Sequence, residues 1–213
     1  MKLRTWKLLG WFCAAAGLAF ASGANAQSYV GIGVGQGHAR MPSVSTSVLG
    51  PAFTGAASKD NDTAYKLYYG YQFTPNWGIE IGYDDLGNKY SVAGSLGGTP
   101  YNATYKMDNW YVAATGTLPL QGGFSLLGKL GVSANKVSGG EICAAGTCAN
   151  FAGSDRKTDA MVGVGAQYAL GNNWNARLEY EDYGKVGGSD IWGTGGSGQL
   201  KADSWTVSLN HSF

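Results

Sequence analysis

Aliphatic residues and glycines alternate through "YVGIGVGQGHAR", Tyr29 to Arg40, and a strict period of two is the repeat of a β-strand rather than of a helix. The glycines invite a dinucleotide-binding reading, which needs glycine at the first, third and sixth positions and a helix afterwards. Gln36 or His38 stands at the sixth position, and the following "MPSVSTSVLGPAFTG" carries helix breakers instead of a helical pattern. The phosphate reading fails. What remains is a strand with Val30, Ile32 and Val34 on one face and a lane of bare backbone on the other.

The same alternation returns seven times. "TAYKLYYGYQF" sets Tyr65, Leu67, Tyr69, Tyr71 and Phe73 against Ala64, Lys66, Tyr68, Gly70 and Gln72, and "WGIEIGYDD" sets Trp77, Ile79, Ile81 and Tyr83 against Gly78, Glu80, Gly82 and Asp84. "WYVAATGTL", "FSLLGKLGV", "DAMVGVGAQYAL", "WNARLEYED" and "SWTVSLNHSF" follow the rule, with Lys129, Arg177, Glu179 and Glu181 on the faces opposite Leu130, Leu178 and Tyr180. One face of each strand is apolar, and the other mixes glycine with charge.

Two ways of burying such strands remain open: a soluble sandwich with the apolar face inside, or a barrel with that face in lipid. The connections decide between them. They alternate long (40–61, 88–102, 138–155, 185–198) and short (74–76, 119–123, 171–173), so four long loops lie at one end and three tight turns, with both termini, at the other. A sandwich has no reason to sort its loops this way, whereas an outer-membrane barrel has short periplasmic turns and long extracellular loops. Aromatics gather at strand ends, Phe73, Trp77, Phe124, Tyr168, Trp174 and Phe213 near the turns and Tyr65, Tyr83 and Trp205 farther away, as two interfacial girdles require. The expected fold is all-β: an eight-stranded antiparallel up-and-down transmembrane barrel. Backbone in hydrocarbon must satisfy its own hydrogen bonds, and closure removes the edges.

The start of the chain agrees. Lys2, Arg4 and Lys7 precede an apolar run from Leu8 to Ala21, and "ANA" at 24–26 supplies small residues for cleavage before Gln27. Residues 1–26 read as a secretory signal peptide and 27–213 as the barrel. Its removal takes three of the 15 Lys and Arg and none of the 14 Asp and Glu, leaving a formal charge of −2 that gives no basis for nucleic-acid binding.

In so narrow a barrel the lumen is packed by side chains, so Lys66, Glu80, Lys129, Arg177 and Glu179 are expected to face inward and pair, Glu80 with Lys129 and Arg177 with Glu179. The glycine lanes are read as the room these long side chains need. Cys143 and Cys148, within "EICAAGTCAN", are candidates for a small loop disulfide in an exported protein. Two cysteines beside Glu141 are too few for a metal site, and the sequence implies neither metal nor cofactor.

With the leader, the eight alternating strands, "RLEY" at 177–180, "GTLPL" at 116–120 and a terminal phenylalanine, the chain resembles the outer-membrane protein A-like eight-stranded barrels of Gram-negative bacteria. The resemblance implies a porin-family membrane protein, held among outer-membrane lipid and lipopolysaccharide, with long loops facing host or environmental surfaces. It also implies that Phe213 is the signal read by the barrel-assembly machinery, although His211 stands where tyrosine is usual; the sequence stops at the last barrel strand, so no peptidoglycan-binding domain is expected.

Three functions compete: a structural or surface-interaction barrel, a narrow ion or small-solute channel, and a lipid A-modifying enzyme. Resemblance to a lipid A deacylase would demand a His and a Ser two residues apart on one lipid-facing surface. His211 and Ser212 are adjacent and therefore point to opposite faces, and His38 has no partner nearby in sequence. The first reading is the expected one, with no catalytic residue.

Overall fold

The structure is a computed structural model that describes residues 27–40, 53–96, 98–144, 146–150, 154–187 and 200–213. The leader reading for 1–26 and parts of the long connections lie outside the described residues. The strands are β1 (Gln27–Arg40), β2 (Phe53–Lys59), β3 (Asn61–Gln72), β4 (Trp77–Leu96), β5 (Thr99–Pro119), β6 (Phe124–Ala144), β7 (Thr147–Asn150), β8 (Ser154–Gly171), β9 (Trp174–Gly187) and β10 (Leu200–Ser212).

Eight of them close a barrel. Neighbours run β3, β1, β10, β9, β8, β6, β5 and β4, and β4 pairs back onto β3, with every pairing antiparallel. At the closure, β1 meets β10 from Tyr29↔Ser212 to Arg40↔Lys201 without a slip. The remaining two strands sit in the long connections, β2 on the outer part of β4 and β7 on the outer part of β6.

That outer part corrects the loop boundaries expected from sequence. The connections 88–102 and 138–155 are largely strand: β4 and β5 stay paired to Leu96↔Thr99, and β6 and β7 pair from Glu141↔Asn150 to Ala144↔Thr147. Above the membrane band neither face of these strands meets lipid, so the contrast between faces that marks a strand in sequence disappears while the backbone ladder continues.

The short turns are built by recognisable chemistry. Thr74 Oγ1 accepts the amide of Trp77 at 2.9 Å, and Asn76 Nδ2 donates to the Thr117 carbonyl at 2.9 Å, tying this turn to β5. The β8–β9 hairpin turns on Asn172 and Asn173, with φ of 50° and 64°. A two-residue hairpin of this hand needs positive φ at both central positions, which asparagine tolerates.

The wall is inside out. Val30, Ile32, Leu67, Ile81, Val112, Leu130, Val164, Leu178 and Val207 face outward, Ile32 and Leu130 with about two thirds of their surface open (65% and 66%). Lys66, Glu80, Lys129, Arg177, Glu179 and Glu181 are buried. Rings rim the apolar belt at both levels: Phe124 on Tyr168 (4.7 Å between centroids) beside the turns, Tyr83 on Trp110 (5.0 Å) and Tyr180 on Trp205 (4.9 Å) at the far side. Trp205 and Phe213 are eight residues apart, about 26 Å along the strand, which a tilted strand converts to the height of an outer-membrane hydrocarbon layer.

Candidate functional site

The lumen is where the sequence places every unusual residue, and four strands deliver charge to it. Lys66 comes from β3, Glu80 and Asp84 from β4, Lys129 from β6, and Arg177, Glu179 and Glu181 from alternate positions of β9. Lys129 Nζ lies 2.6 Å from Glu80 Oε1, 2.5 Å from Glu179 Oε1 and 3.0 Å from Glu181 Oε1. Arg177 Nη1 donates to Glu80 Oε2 at 2.9 Å and stands 3.7 Å from Glu179 Oε1, while its other nitrogens donate to Gln167 Oε1. Lys66 Nζ approaches Glu179 Oε2 at 3.4 Å and pairs with Glu181.

Three cations and three carboxylates thus share one knot. The pairings named from sequence, Glu80 with Lys129 and Arg177 with Glu179, are both within 4 Å, but Arg177 lies closer to Glu80, and Glu181 joins as a third acid. In a low-dielectric interior each charge alone would be costly, so sharing every ion among two or more partners is what makes the knot tolerable.

Tyrosines complete it. Tyr29 and Tyr111 donate to the two oxygens of Glu80 at 2.9 and 2.6 Å, Tyr183 donates to Glu181 Oε2 at 3.0 Å, and Tyr68 shares a 2.9 Å hydrogen bond with Ser208. The Arg177 guanidinium lies 5.1 Å from the Tyr68 ring centre and 5.2 Å from that of Tyr29. These rings explain the glycine lanes more closely than side-chain length does. Gly31 is paired with Tyr68, Gly70 with Tyr29 and Gly82 with Tyr111, and a Cβ on any of the three glycines would collide with its partner's ring. Among the described glycines, Gly163 and Gly165 give their space to the knot's acids, Glu181 and Glu179.

Above the knot the lumen changes character. Leu86, Tyr90, Met107, Val137, Met161, Tyr183 and Val186 form a buried apolar layer inside the barrel. Two matching irregularities aim it. On β4, Asp85 Oδ1 accepts the Gly87 amide at 3.1 Å, and on β9, Asp182 Oδ1 accepts the Gly184 amide at 2.8 Å. Both glycines have positive φ, 114° and 66°. The residue between, Leu86 or Tyr183, is turned into the lumen.

Sequence reading missed this layer, yet its signal is present: "YDDLG" at 83–87 and "YEDYG" at 180–184 are one pattern, an outward tyrosine, a buried acid, a capping aspartate, an apolar plug residue and a glycine.

The residues weighed for catalysis lie apart. His211 packs outside against Trp174 (4.9 Å between ring centres), whereas Ser212 faces the lumen. His38 Nδ1 stands 3.5 Å from Asp203 Oδ2, and Asp203 is held by Arg40 Nε at 2.9 Å. Among the described residues no group of three or more His, Cys, Asp or Glu is arranged to hold a metal. Cys143 and Cys148, opposite one another on β6 and β7, are joined by a disulfide. Phe213 lies outside the barrel wall and its amide donates to the Ser28 carbonyl at 2.9 Å, fastening the chain end to β1.

Known proteins have the same architecture. Outer membrane protein A of Serratia marcescens is 28% identical over 153 residues, 68% of this chain, and the chain spans 37% of that relative's length. Among solved structures, the attachment invasion locus protein Ail of Yersinia pestis superimposes with a TM-score of 0.52 at 17% identity, covering 89% of this chain and 99% of Ail. Neisserial surface protein A superimposes at 0.53 and 15% identity, covering 87% of this chain and 97% of the other. Residues 8–213 match the family described as outer membrane protein beta-barrel domain. The closed barrel, its inverted wall and this match along nearly the whole chain have one meaning: the protein belongs to the outer membrane protein β-barrel family and resides in the outer membrane.

Proposed function

We propose that this barrel is sealed and acts from its outward end as a surface-interaction protein, with no catalytic role. The observation that carries the reading is the double closure of the lumen, an ionic knot with an apolar layer above it. An open path for ions has nowhere to run through that stack. Beyond the outer girdle the wall continues as paired strands to Leu96↔Thr99 and Ala144↔Thr147, a stiffened platform of the kind that presents a surface to the medium. Ail, of the same fold, has been crystallised with a heparin analogue, which is the type of contact such a platform suits.

The lumen network of Lys66, Glu80, Lys129, Arg177 and Glu179 is structural in this reading, the Cys143–Cys148 bond staples one hairpin, and Phe213 serves as the assembly signal after removal of residues 1–26. The rival channel reading is tested by single-channel recording. The purified barrel is expected to give no stepwise conductance, and a conductance altered by Glu80→Gln with Lys129→Met would overturn the sealed reading in favour of a pore. Trimming the 88–102 hairpin is expected to leave heat-modifiable gel migration intact while abolishing adhesion. Mass spectrometry of lipid A with and without the protein tests the enzymatic alternative, and unchanged lipid A is the expected result.

A further inference from the structure

On the outer wall just above Trp110, three neighbouring strands carry Asp108 (β5), Lys136 (β6) and Arg156 (β8) side by side in register. Lys136 and Arg156 are directly opposed across an antiparallel pair, and like charges so placed repel. On the same rim Lys106 is paired with Asp85 at 3.1 Å and Arg40 with Asp203 at 2.9 Å. Among the described residues neither Lys136 nor Arg156 makes an ion pair within 4.0 Å. A groove of about 450 Å³ lies between them, walled by Trp110, Ala134 and Thr158 below and Asp108 at one side.

Height identifies the occupant. Phe124 marks the turn-side girdle of β6, and Lys136 lies twelve residues farther along the same face, about 40 Å of strand or roughly 30 Å along the membrane normal at ordinary barrel tilt. That is the depth of the outer leaflet's headgroups, with Trp110 at the boundary below. We propose that this groove binds the headgroup of a phosphorylated glycolipid of the outer leaflet, its phosphate between Lys136 and Arg156, its sugar against the Trp110 ring, and a sugar hydroxyl donating to Asp108. Two cations spaced across a strand pair suit one phosphate, and charge-assisted hydrogen bonds to phosphate are the strong class. The proposal deepens the surface-interaction reading by naming the lipid that the platform's base engages, and it rests on that reading's orientation of the barrel.

The test uses the full barrel in phosphatidylcholine nanodiscs, titrated with bisphosphorylated lipid A, with its dephosphorylated form and with inorganic phosphate, read by Trp fluorescence and by native mass spectrometry. Lipid A is expected to bind at least about tenfold more tightly than the dephosphorylated form, and Lys136→Gln with Arg156→Gln to abolish that preference. Lys106→Gln removes one charge from the same rim and is expected to leave affinity within about twofold. Equal binding of the two lipids, an equal loss in Lys106→Gln, or full competition by millimolar inorganic phosphate would each overturn the proposal. Conductance and heat-modifiable migration, recorded on the same preparations, report separately on whether the barrel is sealed and folded.

Discussion

The middle and the outer end of the lumen solve one packing problem with opposite chemistry. Both are enclosed by the same eight strands, yet the middle is filled by Lys66, Glu80, Lys129, Arg177, Glu179 and Glu181, and the outer end by Leu86, Met107, Val137, Met161 and Val186. The difference teaches that inside a barrel in lipid, enclosure does not itself demand polarity. Charge is used where strands run regularly and long side chains from β4, β6 and β9 converge. Aliphatic packing takes over where the Asp85–Gly87 and Asp182–Gly184 irregularities turn Leu86 and Tyr183 into the lumen.

Breaking the middle should cost the most. Glu80 is the acid on which Lys129, Arg177, Tyr29 and Tyr111 all converge, so Glu80→Leu takes one carboxylate from two cations and the acceptor from two hydroxyls, and leaves three buried cations facing Glu179 and Glu181 alone. The expected loss is about 3–5 kcal/mol, the cost of orphaning buried charge, measured as the shift in urea midpoint of the lipid-reconstituted barrel. A neutral double change, Glu80→Leu with Lys129→Leu, should recover part of that loss, because fewer ions are left unpaired.

The outer end should be weaker and insensitive to ionic chemistry. Met107→Ala opens a cavity in the apolar layer, with an expected loss of about 2–4 kcal/mol that does not change with salt. If both regions lost equally, the distinction between an ionic and an aliphatic fill would carry no energetic weight.

How far these two regions were legible in the sequence follows the same division. Face assignment was readable along the membrane band because lipid on one side and enclosure on the other impose opposite demands on neighbouring residues, as Ile79, Glu80 and Ile81 show. Inward charges could therefore be named, but not who meets whom, since Lys66 reaches Glu181 only through the closed cylinder and not through any strand pairing. The alternation sets Glu181 and Tyr68 inward without joining them to the network, and it gives Tyr29, Tyr111 and Tyr183 no role, because an amphipathic ring suits either face. Strand length was illegible above the girdle, where no lipid stands outside to set one face against plug residues such as Tyr90 within.

The glycine lanes offer a finer test of how the middle is fitted. Tyr111 lies over Gly82 on the neighbouring strand, and a methyl group there would enter its ring. Gly82→Ala is expected to cost about 1–3 kcal/mol by overpacking, although alanine is otherwise the better strand residue. Combining it with Tyr111→Ala should cost less than the sum of the single changes, because the clash vanishes with the ring. Strict additivity in that cycle would mean that the glycine serves something other than the tyrosine.

The smallest effect is expected farthest from both regions. Cys143 and Cys148 join β6 to β7 across a tip of four intervening residues, in a hairpin at the outer end of β6, past the position of Val137 in the apolar layer. A cross-link acts on the global unfolding equilibrium only to the extent that the segment it closes unfolds with the rest, and an outlying hairpin opens locally first. Cys143→Ser with Cys148→Ser should therefore move the urea midpoint by less than about 0.5 kcal/mol. Amide exchange at Thr147 to Asn150 should accelerate in the same variant while that of Val132 and Leu130 stays unchanged. A shift as large as that of Met107→Ala would instead make the hairpin part of the cooperative barrel, and the outer end would then extend to its tip.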